Sequence, residues 1–509
     1  MRCLNCVCWL AVFVLGVNAV ASAADRPNLL FCLADDWGYP DAGAYGGQVA
    51  RTPAFDRLAR EGVLFEHAYI SSPSCTPSRN AILTGQQFYR LRQGASLHGW
   101  LDVGEPNFMV LLKDGGYDIG HFSKAWGPGN WRLGGYDEHP CGPQSSFADF
   151  MSGRDAGKPF AFWLGTKDPH RGYDPELKRE MGLHPDNVKV PPFYPDAMEI
   201  REDMADYYAE VQRWDGDVGA ALKLLEESGE LENTIVVMTG DHGMPFPRGK
   251  GNVYDFGSRV PLAIRWGHDM VAPGRRIEGF VSLTDLAPTF LEAAGVDVPE
   301  VMTGTSLLPI LKGGDGPDRT FEVFGRERHT AAQEMPSFDA YPMRAIRTDG
   351  WLLILNLEPD RWPAGVPENA THPMDSFSDS DAGPTKTYLM AHRDEPDVRR
   401  FFDLSFAKRP PVELYDCDDD PDQLVNLADD PAHAARASAL REQLVTYLRE
   451  TGDPRFTGEE VRFDDFAYTD RKVVRRVGDW LETHDVEPPI AYVEGKAANE
   501  RVASDDDDE

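Results

Sequence analysis

Three short segments bring together side chains that could act on a substrate. Asp35-Asp36 closes an apolar run. Adjacent carboxylates repel one another, so the pair calls for a cation or for water, and a solvated loop explains it as well as a metal does. Asp241-His242-Gly243 follows a second apolar run, and a plain turn built on Gly240 and Gly243 is the alternative there. If the two segments meet, three carboxylates with one imidazole suit a hard divalent cation such as Ca2+ or Mg2+. Spacing alone does not bring them together. The third segment, Cys75-Thr76-Pro77-Ser78-Arg79 with Leu83-Thr84-Gly85, reads as a loop entering a short helix, with Pro77 near the first turn and Gly85 as the stop. A thiol at a helix start beside an arginine would have a lowered pKa and could act as a nucleophile. A buried structural cysteine is the alternative.

Elements must position these groups. Residues 28–34 read as a buried strand between Pro27 and the Asp pair, and residues 117–123, 160–166 and 234–239 as further strands. Residues 54–61 read as a helix capped by Thr52 with Pro53 in its first turn. Residues 203–229 carry Met204, Tyr207, Tyr208, Val211, Val218, Ala221, Leu222 and Leu225 at helical spacing, and residues 283–294 predict a helix stopped by Gly295. Strands alternating with helices predict a mainly parallel α/β sheet flanked by helices, in which ligands bind beyond the carboxyl ends of the strands. After about residue 340 the pattern changes. Residues 343–357 predict a strand pair around Asp349-Gly350, 376–385 a polar loop and 432–450 a helix. The expected organisation is a leader at 1–23, a catalytic domain at 24–340, a smaller C-terminal α+β domain at 341–460, and an extension at 461–509 with an acidic tail.

The cysteine segment with its downstream Leu-Thr-Gly resembles the signature of type I sulfatases, and the resemblance extends through Asp35-Asp36 and Asp241-His242-Gly243 over most of the chain. Asp168-Pro169-His170-Arg171, Met244-Pro245-Phe246-Pro247, Tyr341-Pro342-Met343-Arg344 and Glu413-Leu414-Tyr415-Asp416 are most similar to the heparan N-sulfatase (sulfamidase) branch, with iduronate-sulfatase-like proteins next. The resemblance implies an alkaline-phosphatase-like core and oxidation of Cys75 to formylglycine by a separate maturing enzyme. It implies one Ca2+ held by Asp35, Asp36, Asp241, His242 and an oxygen of the modified Cys75. Arg79 would steady the formylglycine hydrate, Lys124 and Lys250 would contact the sulfate oxygens, and His170 would assist the leaving group. Lys250 stands where the sulfamidase has Arg, which keeps the charge and loses the fork. His329 could line the substrate pocket or sit in a solvated loop. The family usually has His two residues after the lysine; here the run is Lys124-Ala125-Trp126, which leaves one proton-transfer or sulfate-contact role open.

A sulfate ester or sulfamate needs a nucleophile at sulfur, positive charge on its oxygens and a proton for the departing group. A hydrated aldehyde offers one hydroxyl to attack and a second to expel sulfate later; a thiol lacks the second. The expected reaction is hydrolysis of sulfate from a sulfated glycan, with N-sulfoglucosamine at a chain end as the leading substrate. An O-sulfate-specific glycan sulfatase, a phosphate or phosphonate monoester hydrolase on the same fold, and a non-catalytic sulfated-glycan-binding relative are the alternatives.

Composition bounds these readings. The chain has 509 residues, 41% of them hydrophobic, and a net charge of −33. That excludes a disordered chain or a coiled coil, and makes non-specific binding to nucleic acid or anionic membrane a poor fit. Arg2, the apolar run at 9–17 and Ala21-Ser22-Ala23 predict a secretory leader too short to span a membrane, and hence a periplasmic or secreted protein. Cys32, Cys75, Cys141 and Cys417 remain beyond it, too few for a disulfide framework, though one pair could form. Asn369-Ala370-Thr371 fits a glycosylation acceptor, meaningful only in a eukaryotic secretory route.

Overall fold

The apolar run at 28–34 forms β1 (Asn28–Ala34), buried along its whole length. Its side chains alternate between two cores: Leu29, Phe31 and Leu33 face one, and Leu30, Cys32 and Ala34 the other. A strand apolar on both faces belongs inside a sheet covered on both sides. The computed structural model describes residues 26–267, 269–316, 318–368 and 376–506; the expected leader, the acceptor at Asn369-Ala370-Thr371 and the last three acidic residues lie outside the described residues.

The main sheet also contains β2 (Val63–Tyr69), β3 (Asp118–Phe122), β4 (Phe160–Gly165), β5 (Thr234–Gly240), β6 (Leu262–Trp266) and β7 (Arg275–Ser282), in the order β3-β4-β1-β5-β6-β2-β7. Only β6 runs antiparallel to its neighbours β5 and β2. The predicted mainly parallel α/β architecture is therefore the observed one. Helix α1 (Pro53–Glu61) starts at Pro53 as its first-turn preference requires. The helix predicted at 203–229 begins earlier, at Met198, and runs to Ser228, where Gly229 stops it at φ 75°. The segment at 283–294 opens as a tight 3-10 turn under a Ser282 cap before the helix Leu286–Ala293.

A second sheet is antiparallel, with order β11-β10-β9-β8 from β8 (Phe321–Arg326), β9 (Met343–Thr348), β10 (Trp351–Asn356) and β11 (Val412–Asp416). The strand pair around Asp349-Gly350 is β9–β10. The sheet starts ahead of residue 340, because β8 pairs with β9 across the long loop between them. Val323, Ile346, Leu353 and Leu414 pack with Leu440, Leu444 and Leu448 of the helix Ala434–Glu450 and with Ala81 and Phe88 of the larger unit. Residues 461–506 end the described chain in the helices Arg471–Leu481 and Ile490–Asp506. Among the described residues no helix is long and apolar enough to cross a membrane.

Candidate active site

The sheet register brings the two acidic segments together. Strands β1 and β5 are parallel neighbours with Ala34 opposite Gly240, so Asp35 and Asp241 leave the sheet side by side. Gly240 has no room for a side chain: a Cβ there would lie 2.1 Å from the Trp37 carbonyl oxygen. Lys124 follows β3 and His170 follows β4 on the same edge. Cys75 opens helix α2 (Cys75–Thr84), just after β2. All these groups thus stand beyond the carboxyl ends of parallel strands.

Cys75 Sγ lies 3.5 Å from Asp35 Oδ1, 4.0 Å from Asp36 Oδ1 and 3.3 Å from His242 Nε2. Arg79, one helical turn on and fully buried, donates to Asp241 Oδ2 at 2.8 Å and Asp35 Oδ1 at 3.2 Å. Its remaining nitrogen holds the backbone carbonyls of Lys124 and Ala125 at 2.7 and 3.0 Å. Lys124 Nζ bridges both Asp35 oxygens at 2.5 and 2.6 Å, and Lys250 Nζ donates to Asp36 Oδ2 at 2.9 Å. Asp36 adopts φ 70°, a left-handed conformation that costs a non-glycine residue about 1–2 kcal/mol. Tyr207, from the long helix, clamps it there. Its hydroxyl donates to the Asp36 carbonyl at 3.3 Å and accepts from Gly38 N at 3.2 Å.

The donor set fits a hard cation. His242 Nδ1 is 3.0 Å from the Gly243 carbonyl, which can only accept, so Nδ1 carries the proton. In the neutral ring Nε2 then presents a lone pair to Asp36 Oδ1 at 3.2 Å and Asp241 Oδ1 at 3.7 Å. Acceptors facing acceptors in a buried space need a positive charge between them. Asp35, Asp36, Cys75 and His242 offer ligand atoms within 4.8 Å of one another. Asp35, Asp36, Asp241 and Asp381 face Arg79, Lys124 and Lys250. That is one negative charge in excess, and a divalent cation would turn the balance positive where an anionic group is to bind.

Burial shapes the ionisation of the cluster. Burial would raise Asp35, but Lys124, Arg79, His170 and Lys250 outweigh it and hold the carboxyl well below its usual range. Burial would lower Lys124 and Lys250; Asp35 keeps the first raised, and Asp36 with Asp381 keeps the second well above the usual ammonium value. The expectation of a lowered Cys75 pKa is corrected: burial pushes the thiol up, beyond the opposing pull of Lys124 and Lys250. The free thiol is therefore a poor nucleophile in this setting.

The structure gathers Asp35, Asp36, Cys75, Arg79, Lys124, Asp241, His242 and Lys250 into one cluster, with His170 at its rim. The His170 Nδ1 pairs with the Arg171 carbonyl. His329 is buried, which excludes the solvated loop, and its Nδ1 lies 2.8 Å from Oγ of Ser74, the residue before Cys75. Trp126 is buried too and donates from Nε1 to Asn80 Oδ1 at 2.6 Å, bracing helix α2. Cys32, Cys141 and Cys417 are free and buried, so no pair forms among them.

Sequence reasoning missed Asp381. It lies in the polar stretch at 376–385, where nothing in residue type or spacing separates it from solvated neighbours. Folded, its Oδ2 is 3.3 Å from Lys250 Nζ, and its carboxylate, a His170 ring nitrogen and an Asp36 oxygen lie within 4.8 Å of one another. Burial would raise Asp381, and Lys250, His170, His329 and Arg171 together hold it below the ordinary carboxylate value.

Comparison with known proteins assigns the family. The sequence profile described as Sulfatase matches residues 27–150 and 144–296, and that described as N-sulphoglucosamine sulphohydrolase, C-terminal, matches residues 240–362. N-sulphoglucosamine sulphohydrolase of Homo sapiens is 30% identical over 507 residues, covering 89% of this chain and 95% of the human protein. The chain belongs to the sulfatase family. An ulvan-active sulfatase of Formosa agariphila is 28% identical, with 85% of this chain and 82% of that protein covered. A solved structure in complex with its substrate D-glucosamine-2-N,6-O-disulfate superposes with a TM-score of 0.59 at 20% identity, over 84% of this chain and 98% of that one. A phosphonate monoester hydrolase of Agrobacterium radiobacter gives 0.63 at 18% identity, over 85% and 97%. These two likenesses establish the alkaline-phosphatase-like fold. As a sulfatase, the protein is a hydrolase of sulfuric esters, and the cluster around Cys75 is where its sheet gathers charged groups.

Proposed function

We propose that the protein is an exported glycan sulfatase acting on N-sulfoglucosamine at a chain end, through Cys75 matured to formylglycine by a separate enzyme and with one Ca2+ in the acidic cluster. The observation that carries this reading is the convergence of Cys75 with Asp35, Asp36 and His242 within 4.8 Å, flanked by Lys124 and Lys250. The relative that is 30% identical is an N-sulphoglucosamine sulphohydrolase, and the C-terminal profile of that family matches across residues 240–362.

Asp35, Asp36, Asp241, His242 and an oxygen at position 75 would hold the ion. When bound, the ion polarises the sulfuryl oxygens, and the hydrated aldehyde supplies an oxygen nucleophile. Every other role falls to side chains of the cluster and its rim. Arg79 fixes the two acidic segments to each other and to the backbone at Lys124. Lys124 and Lys250 turn from these carboxylates to the sulfate oxygens when an anion enters, and positive charge aimed at the oxygens is a large share of catalysis. His170, with its Nδ1 proton engaged by a carbonyl, presents its other nitrogen to the leaving group and donates from there as the imidazolium. His329, through Ser74, steadies the start of the nucleophile's helix.

Sulfate release from N-sulfoglucosamine by protein made with its maturing enzyme tests the proposal. Release that requires Cys75 supports it. Turnover of matched phosphate or phosphonate monoesters without sulfate release, or binding of sulfated sugar with no release, overturns it.

A further inference from the structure

Asp381 is held in place from two directions, and none of the chemistry above uses it. Its neighbour Asp379 accepts from Arg326 Nη2 at 2.9 Å and from both Thr330 N and Thr330 Oγ1 at 2.7 Å. Lys386 Nζ donates to the Phe377 and Ser380 carbonyls at 3.0 and 2.8 Å, closing the same loop. Asp203 then ties that loop to the one carrying His170. Its Oδ2 accepts from Thr385 N at 3.0 Å and Thr385 Oγ1 at 2.6 Å, while Arg171 grips both its oxygens at 2.6 and 2.9 Å. Asp381 is thus fixed relative to His170.

The buried Oδ2 of Asp381 takes no hydrogen bond among the described residues; Lys250 Nζ stands 3.3 Å away without the alignment of one. The Asp381 carboxylate has the imidazole assigned to the leaving group within 4.8 Å and the ammonium assigned to the sulfate oxygens at 3.3 Å. The atom that joins sugar to sulfur belongs in that place. In a sulfate ester it is an oxygen, whose lone pairs a carboxylate repels. In a sulfamate it is an N–H, which donates. Hydrolysis breaks the S–N bond with its electron pair going to nitrogen. Sulfamate and water become a protonated amine and sulfate, and the new cation faces the same carboxylate.

We propose that Asp381 is a specificity-determining residue that accepts the sulfamate N–H and sets the site for N-sulfated amino sugars over O-sulfate esters. The proposal rests on the sulfatase reading of the Cys75 cluster. A site built to bond a donor discriminates strongly against the analogue that lacks it, because its acceptor is left facing lone pairs.

The test compares kcat/KM for N-sulfoglucosamine and for glucose 2-O-sulfate, which differs in the bridging atom, in the wild type, Asp381→Asn and Asp381→Glu. The wild type should prefer the sulfamate. Asp381→Asn should lower the ratio of the sulfamate value to the ester value roughly ten- to a hundredfold, and Asp381→Glu should keep the preference. An equal loss on both substrates would make Asp381 a support for Lys250 only and overturn the proposal, as would a wild type that prefers the ester. A wild type that turns over neither substrate, yet carries the aldehyde, overturns the underlying reading instead.

Discussion

Asp36 holds a backbone angle that suits glycine, and the Tyr207 hydroxyl holds it there. In the proposed Ca2+ site Asp36 is a ligand; groups behind a metal ligand set its aim, and their loss weakens metal binding roughly ten- to a hundredfold. Tyr207→Phe should therefore lower Ca2+ affinity by about that factor in calorimetric titration, while thermal melts in excess Ca2+ stay near the wild type; unchanged affinity would contradict the clamp. Close by, burial pushes the Asp41 carboxyl up to about 8, from an ordinary value of 3.8, against the pull of Tyr208 and Tyr207. The folded chain keeps a proton here that the unfolded chain loses above about pH 4, so stability falls as pH rises towards 8, by about 1.4 kcal/mol per pH unit from this group. Urea unfolding between pH 5.5 and 7.5 should show that decline, reduced in Asp41→Asn. An unchanged slope in the variant would contradict the assignment.

At the scale of elements, the site depends on how loops are tied to the sheets. Glu327, two residues before His329, is buried with Arg344, which pairs with it at 2.7 Å and with Asp453 at 2.5 Å. Asp453 also caps the short helix Pro454–Thr457. Removing one partner of a buried ion pair costs about 3–5 kcal/mol. Asp453→Ala should lose that much in urea unfolding, and a loss under about 1 kcal/mol would show that Glu327 alone suffices for Arg344. Much of this scaffold was legible in the sequence. Inner strands β1 and β5 are apolar on both faces and bounded by turn residues, so their composition alone marks them. Strand β2 was not, because Glu66 and His67 interrupt its apolar run, and β7 opens on alternating exposed Arg and Glu. Asp35, Asp241 and Cys75 could be named from their segments, but Asp381 and Tyr207 act only through contacts that folding creates.

For the whole molecule, a net charge of −33 opposes the approach of a sulfated polyanion, and salt screens that repulsion beyond about 8 Å at physiological strength. Rates on longer sulfated chains should rise with added salt more steeply than rates on a monosaccharide; equal salt dependence at all lengths would contradict a chain-end preference set by charge. The same molecule depends on processing outside itself. Burial leaves Cys75 a protonated thiol among acceptors, and the proposed activity needs the aldehyde in its place. The most direct test is the mass of the tryptic peptide spanning residues 61–79 from protein purified from its own producing cells. An aldehyde is expected at Cys75; an intact thiol in active, mature protein would overturn the formylglycine reading.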